Sequence, residues 1–169
     1  MGSAPTDRFY CLYIQEFSEL YMTKQLIITV GIPASGKSTL REMYPHMKVV
    51  SPDEIRRRLL GVDFDPDREA LVWEEVWKVF KIYSDIGEDI YFDATNTTKK
   101  RRADVINHIN KDEYRIIAHY IKIDVEIAIE RNMQRERHVP ESVMRSMAEG
   151  MEEPGLDEGI DEIRILIAG

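Results

Sequence analysis

The chain has 169 residues and a formal net charge of −8 at pH 7, with 43% hydrophobic and 32% charged residues. This length fits one domain, the single cysteine (Cys11) excludes an internal disulfide framework, and no apolar run approaches the roughly 18 residues of a transmembrane helix. The acidic balance argues against a protein that coats nucleic acid non-specifically, although a local basic patch could still bind a nucleic-acid end.

Residues 1–23 are interpreted as an N-terminal extension of unknown role. Residues 1–3 have the sequence of an expression scar, and residues 8–21 are aromatic-rich without a clear period. The segment lacks the basic end and long apolar middle of a signal peptide. We therefore expect a cytoplasmic protein with one domain over residues 24–169 and no membrane partner.

Strand and helix patterns alternate from residue 25 onward. Residues 25–30 form an apolar, β-branched run that ends at Gly31, which predicts a strand buried on both faces. Further strands are predicted at 49–51, 89–93, 115–123 and 164–167, and helices at 67–85, 98–110, 124–137 and 141–151. This alternation predicts an α/β fold with a central parallel sheet of about five strands and helices on both faces.

A phosphate-binding loop follows the first predicted strand. Residues 31–38 match the pattern Gly-x-x-x-x-Gly-Lys-Ser, and a helix can begin at Ser38. Glycines let backbone N–H groups turn toward phosphate oxygens, and the helix that follows adds its free N–H groups. Lys37 is predicted to bridge the β- and γ-phosphates of ATP and Ser38 to ligate Mg²⁺. The predicted nucleotide-binding residues of the loop are Gly31, Ala34, Ser35, Gly36, Lys37, Ser38 and Thr39.

Two residues after the second predicted strand are candidates for the acceptor side. Asp53 could accept a proton from a hydroxyl that attacks the γ-phosphate, or it could cap the next helix, and its position favours neither. Arg56 lies three residues later on the same helical face. It could hold an anionic acceptor, or it could be a solvated charge in a run with Arg57 and Arg58.

The third predicted strand ends in polar residues. Asp93 is predicted to hold Mg²⁺ through water, because a carboxylate at the carboxyl edge of a parallel strand faces the ligand crevice. Thr95 and Asn96 could bind substrate or cap the next helix.

A basic helix is predicted near residue 131. Arg131 and Arg135 are four residues apart and share one helical face. They could neutralise charge on the transferring phosphoryl group as part of a helical lid, or they could belong to a salt-bridged surface helix with Glu130 and Glu136.

Together these segments resemble the bacteriophage 5′-polynucleotide kinases and their relatives among the P-loop kinases. The similarity extends over about residues 24–151, and the lid followed by Val-Pro and a Met-rich helix is its most particular part. The stretches that carry it are 31–39, 51–56, 93–96, and 131–135 with 139–147.

The resemblance implies a P-loop kinase fold and an ATP- and Mg²⁺-dependent kinase that acts on 5′-hydroxyl ends of RNA or DNA in nucleic-acid repair. It implies that Asp53 is the general base, that Arg56 grips the acceptor phosphate, and that Arg135 clamps the donor phosphates while Arg131 lies against the nucleotide. A phage origin would make the location the host cytoplasm. The phage enzymes carry a separate phosphatase domain for which this chain is too short, so 3′-phosphatase activity is not expected.

Two alternatives to a polynucleotide kinase stay open. One is a P-loop kinase of a small metabolite or nucleoside, and the other is a non-catalytic nucleotide-binding regulatory protein. A homo-oligomer is compatible with the sequence. Trp73 and Trp77, four residues apart on an acidic amphipathic helix, are interpreted as core or subunit-contact residues more readily than as residues that stack on bases.

Overall fold

The computed structural model describes residues 23–62, 65–136 and 138–168, so the predicted N-terminal extension lies outside them apart from Thr23. The strands are β1 (Lys24–Val30), β2 (Lys48–Val50), β3 (Ile90–Phe92), β4 (Tyr114–Ile123) and β5 (Glu162–Ala168). The helices are α1 (Lys37–Arg41), α2 (Pro52–Leu60), α3 (Glu69–Asp85), α4 (Lys99–Ile106), α5 (Val125–Met133) and α6 (Glu141–Glu149). Short 3₁₀ turns occur at Pro66–Arg68 and Leu156–Glu158.

The five strands form one parallel sheet in the order β2-β3-β1-β4-β5, which confirms the predicted fold class. The chain moves from β1 toward one edge for β2 and in the opposite direction for every later strand. Right-handed crossovers therefore put α1 on one face of the sheet and the later helices on the other. Because all strands are parallel, their carboxyl ends meet at one edge, where the loops after β1, β2 and β3 converge.

The core occupies both faces of the sheet. Leu26 and Ile28 of β1 face the larger cluster, which also contains Val76 and Phe80 of α3 and Val105 of α4. Ile27 points to the opposite face, where it packs in a smaller cluster near the end of α1. The alternation follows from the two-residue period of a strand, and it explains why β1 reads as a continuous apolar run.

A third cluster joins α5 and α6 to the phosphate loop. Ile32 and Ala34 pack here against Ala128, Ile129 and the fully buried Met144. Met144 therefore fills a gap in this core. No helix in the described part of the chain is long and apolar enough to cross a membrane.

The predicted helix over 124–137 is wrong at its carboxyl end. Helix α5 ends at Met133, with Gln134 as its C-cap. The buried Asn132 side chain binds the backbone of Val139 at both its N–H and its carbonyl, which brings Val139 back beside the last turn of the helix. These side-chain hydrogen bonds to the backbone compete with continuation of the helix. The spacing of apolar residues in the sequence gives no sign of them.

Candidate active site

The phosphate loop bends sharply between β1 and α1. Ala34 and Gly36 have positive φ angles of 63° and 103°, so the backbone turns its N–H groups toward one side. Gly31 donates its N–H to the carbonyl of Thr95 at 2.9 Å, which ties the loop to the end of β3. A Cβ at Gly31 would lie 2.8 Å from the Ser35 hydroxyl, so this position has no room for a side chain.

The loop forms one wall of a cavity of about 420 Å³ at the carboxyl edge of the sheet. The opposite walls come from the start of α2, the end of β3 and the loop after α5. The cavity is lined by Pro33, Ala34, Gly36, Lys37, Ser38, Arg41, Ser51, Asp53, Glu54, Arg57, Asp93, Ala94, Thr95, Arg135 and Val139.

Lys37 folds back onto its own loop. Its Nζ donates to the carbonyls of Gly31 at 2.9 Å and Ile32 at 2.7 Å. Burial lowers the pKa of Lys37 to about 8, and the Arg135 guanidinium acts in the same direction while Asp93 and Asp53 oppose it. The ammonium is thus held by weak neutral acceptors, which anionic phosphate oxygens can outcompete.

Ser38 and Asp93 both line the cavity and form its candidate metal site. Burial raises the pKa of Asp93, and the Lys37 and Arg41 cations only partly offset that effect. Nη1 of Arg41 is 3.4 Å from the Asp93 carboxylate. A hydroxyl and an under-compensated carboxylate facing a phosphate site fit Mg²⁺, which usually takes one or two protein ligands besides phosphates and waters.

Asp53 is not the cap of α2. Ser51 is the N-cap, because its hydroxyl accepts from the N–H of Glu54 at 3.4 Å. The Asp53 side chain is instead 62% exposed and lines the cavity. The capping alternative for Asp53 is therefore wrong, and its carboxylate remains available to a ligand.

Arg56 and Arg57 occupy different environments. The Arg56 guanidinium is buried and binds Glu69 through Nε at 2.6 Å and Nη2 at 3.0 Å, while Nη1 contacts Asp53 at 2.5 Å. Arg57 is exposed and lines the cavity, whereas Arg56 is not among the described lining residues. The predicted contact between Arg56 and an acceptor phosphate would require Arg56 to leave Glu69.

The side chains of Thr95 and Asn96 lie in different environments. Thr95 lines the cavity, in agreement with a ligand-facing position. Asn96 is buried with a φ of 45°, its amide donates to the Thr29 carbonyl at 2.8 Å, and its own carbonyl accepts from Arg102. The substrate-binding prediction for Asn96 is therefore not supported, because its side chain links β1 to the end of β3.

The loop after α5 brings Arg135 to the cavity wall, while Arg131 stays half-buried on α5 and is not among the described lining residues. The Asn132 amide clamps the base of this loop with two hydrogen bonds of 2.8 and 3.1 Å to Val139. Of the two predicted lid arginines, Arg135 alone is among the described residues of the cavity wall. The surface-helix alternative does not apply to Arg135, because the helix ends at Met133.

Sequence reasoning missed three charged residues of the wall: Arg41, Glu54 and Arg57. Arg41 binds Glu54 at 2.6 Å, which joins α1 to α2 across the cavity. Their positions at successive turns after Lys37 and Ser51 are the only sequence signal that could have indicated them. Of the residues predicted for the nucleotide, Gly31 and Ser35 are buried and Thr39 is exposed, and none of these three is among the described lining residues.

Comparison with known proteins gives both a sequence relative and structural neighbours. The chain is 29% identical over 140 residues to an L-seryl-tRNA(Sec) kinase of Methanococcus maripaludis, and the match covers 77% of this chain and 53% of that protein. This chain thus spans about half the length of that relative. A solved structure of a Pnkp1/Rnl/Hen1 RNA repair complex matches with a TM-score of 0.67 at 20% identity, over 76% of this chain and 44% of the other.

A sugar kinase from Janibacter sp. HTCC2649 matches with a TM-score of 0.60 at 16% identity, over 86% of this chain and 85% of that one. These structural similarities establish the fold and leave the acceptor open. The family model named AAA_33, described as an AAA domain, matches residues 26–154. The chain therefore belongs to the AAA_33 family and is a nucleotide-binding P-loop kinase domain.

Proposed function

We propose that this protein transfers the γ-phosphoryl group of ATP to the 5′-hydroxyl end of RNA or DNA. The observation that carries the proposal is that Asp53 and Arg57 both line the acceptor side of the cavity. The Asp53 carboxylate is held by Arg56 through one oxygen and is still 62% exposed, and among the described residues no carboxylate pairs with Arg57. A hydroxyl that lies beside a phosphate, as at a nucleic-acid 5′ end, satisfies both groups.

The donor half supplies charge neutralisation. Lys37 exchanges its two loop carbonyls for the β- and γ-phosphates, and Arg135 approaches from the lid side. Ser38 and Asp93 would hold Mg²⁺, which neutralises developing charge on the phosphates when it is bound.

The acceptor half supplies the base. Asp53 takes the hydroxyl proton while the acceptor oxygen forms its bond to the γ-phosphorus and the bond from that phosphorus to the bridging oxygen breaks, leaving ADP. Arg56 binds the Asp53 carboxylate directly, and Glu69 in turn holds the Arg56 guanidinium in place. In this proposal Arg57, rather than Arg56, contacts the acceptor phosphate.

The test is transfer of label from γ-labelled ATP to three acceptors: a 5′-hydroxyl oligonucleotide, a nucleoside 3′-monophosphate and the free nucleoside. We expect the first two to be labelled and Asp53→Asn to abolish transfer. Arg57→Ala should raise the KM of phosphate-bearing acceptors about 10-fold and leave that of ATP unchanged. Arg58→Ala is the matched control, because Arg58 is exposed on the same helix and pairs with Glu75.

Two outcomes would replace the proposal. Preference for the free nucleoside or a small metabolite, with no effect of Arg57→Ala, would favour a small-molecule kinase. Nucleotide binding without transfer to any acceptor would favour a regulatory protein.

A further inference from the structure

Four planar side chains, from α3, from α4 and from the turn after α4, form a continuous row outside the cavity. We call this row the planar strip; it consists of Arg101, Trp73, Trp77 and His108. The Arg101 guanidinium carbon lies 5.3 Å from the Trp73 ring centroid. The two indole centroids are 5.6 Å apart, and the Trp77 and His108 rings stack at 3.9 Å with only 5° between their planes.

The inner part of the strip has a structural role. Both indoles are half-buried and pack against the larger core cluster, and Trp77 also stacks on Phe92 at 5.9 Å. The outer part differs, because Arg101 and His108 are exposed. His108 donates Nδ1–H to the carbonyl of Asp104 at 2.7 Å, which holds its ring parallel to the indole. Two planar groups thus lie at the surface at the two ends of the row, Arg101 on α4 and His108 just beyond the carboxyl end of that helix.

The strip leads away from the acceptor half of the cavity. Helix α3 begins at Glu69, which binds the Arg56 beside Asp53, and Trp73 follows one turn later, about 6 Å along the helix. Helix α4 follows the loop that contains Thr95, a residue of the cavity wall. Both helices therefore start at the edge of the sheet where the acceptor would bind, and the strip extends from that edge along their length.

The first turn of α4 adds positive charge at the near end of the strip. Lys100 and Arg101 are exposed there, and neither pairs with a carboxylate among the described residues. Guanidinium and imidazole planes are surfaces on which unpaired bases stack, and neighbouring cations hold the phosphates between those bases. This combination of planes and charge is more suited to a single strand than to an apolar protein partner.

We infer that the planar strip binds the single-stranded nucleotides that follow the 5′ end, with bases stacked on Arg101 and His108. The inference rests on the proposed function, since it extends the same acceptor beyond the cavity. It predicts that acceptors long enough to reach the strip bind more tightly than a dinucleotide. It also predicts that the gain depends on the bases as well as on the phosphates.

The chain carries a built-in probe of this inference, because its two tryptophans are the two of the strip. Tryptophan fluorescence of the full chain is titrated with a 5′-phosphorylated oligonucleotide of about 10 nucleotides, within the range of single-strand site sizes. We expect quenching at low salt, and about 10-fold weaker binding when the downstream nucleotides are abasic. Unchanged fluorescence, or equal affinity of the intact and abasic strands, would overturn the inference.

Variants separate stacking from charge. Arg101→Lys with His108→Ala keeps the charge of residue 101 and removes both planes, so about 10-fold weaker binding of the intact strand is expected. Lys81→Ala, on an exposed residue of α3 that pairs with Asp85, should bind as the wild type does. Wild-type affinity in the double variant contradicts the inference. The abasic strand tests the same point on unaltered protein if the variant folds poorly.

Label transfer distinguishes the failure of this inference from failure of the proposed function. If a dinucleotide and a longer strand are phosphorylated with equal KM, the proposed function stands and the strip does not bind the acceptor. If fluorescence reports base-dependent binding but no acceptor is labelled, the strip binds single strands and the proposed kinase activity fails.

Discussion

The Arg56 guanidinium joins the Asp53 carboxylate, at 2.5 Å, to the Glu69 carboxylate, at 2.6 Å, across the interface of α2 and α3. Arg56 is buried by this arrangement, and Asp53 is held on the cavity wall. The hydrogen bonds to Glu69 raise the pKa of Arg56, so the guanidinium stays charged over the whole physiological range.

Replacing Glu69 should impair catalysis although Glu69 does not line the cavity. Glu69→Gln removes a charge from the pair with Arg56 and loosens Asp53, so we expect kcat to fall about 10- to 100-fold with little change in the KM of ATP. Steady-state transfer to a 5′-hydroxyl oligonucleotide measures this. Glu75→Gln is the control, because Glu75 lies on the same helix and pairs with the exposed Arg58. A normal kcat in Glu69→Gln would mean that Asp53 does not need this support.

Binding of ATP should depend on pH through Lys37. With a pKa of about 8, the free protein loses the Lys37 proton above that pH, whereas bound phosphates favour the ammonium. We expect uptake of about half a proton per ATP at pH 8 and progressively weaker binding as pH rises further. Calorimetric titration in buffers of different ionisation enthalpy measures the uptake, which Lys37→Met should abolish. A binding enthalpy independent of buffer would contradict the assigned pKa.

The same shift has a consequence for stability. The folded pKa of about 8 lies below the ordinary value of 10.5, so the unfolded chain binds more protons between these values. This group therefore makes the nucleotide-free protein more stable as pH rises from about 8 toward 10.5, opposite to the trend for ATP binding.

The lid loop should depend on Asn132. Asn132→Ala removes both hydrogen bonds to Val139 and leaves the half-buried N–H and carbonyl of Val139 without these partners. The loop that carries Arg135 then loses its fixed base, and we expect the KM of ATP to rise about 5- to 10-fold while the KM of the acceptor stays constant. Gln134→Ala, at an exposed neighbouring position, is the control. An equal rise for both substrates would point to general loosening of the domain.

Arg102 should be among the most sensitive positions for stability. It is fully buried, pairs with both oxygens of Glu158 at 2.7 and 2.8 Å, and donates to the carbonyls of Asn96 and Glu152. Arg102→Ala leaves a buried carboxylate uncompensated, so we expect a loss of about 3–5 kcal/mol in the free energy of unfolding. Lys100→Ala, at an exposed position of the same helix, should change it by less than about 0.5 kcal/mol. Urea denaturation compares the two, and similar losses would contradict this assignment.

Local sequence was sufficient to locate the phosphate loop. The phosphate loop is a contiguous segment whose geometry depends on its own glycines, on a preceding buried strand and on a following helix. The five strands were likewise predictable, because β-branched runs and turn residues mark strands that are buried on both faces. The polynucleotide acceptor remains a proposal, since no contiguous motif specifies it.

The sequence by itself determined that this chain is a parallel α/β protein with an ATP-type phosphate loop. Only the tertiary structure decided which members of the basic runs are buried and which face the cavity. In Arg56-Arg57-Arg58 the first is buried and the second faces the cavity, and in residues 99–102 only Arg102 is buried. Adjacent helical residues point about 100° apart, and a buried cation needs a carboxylate partner. Those partners, Glu69 and Glu158, are 13 and 56 residues away, and only folding brings them into contact.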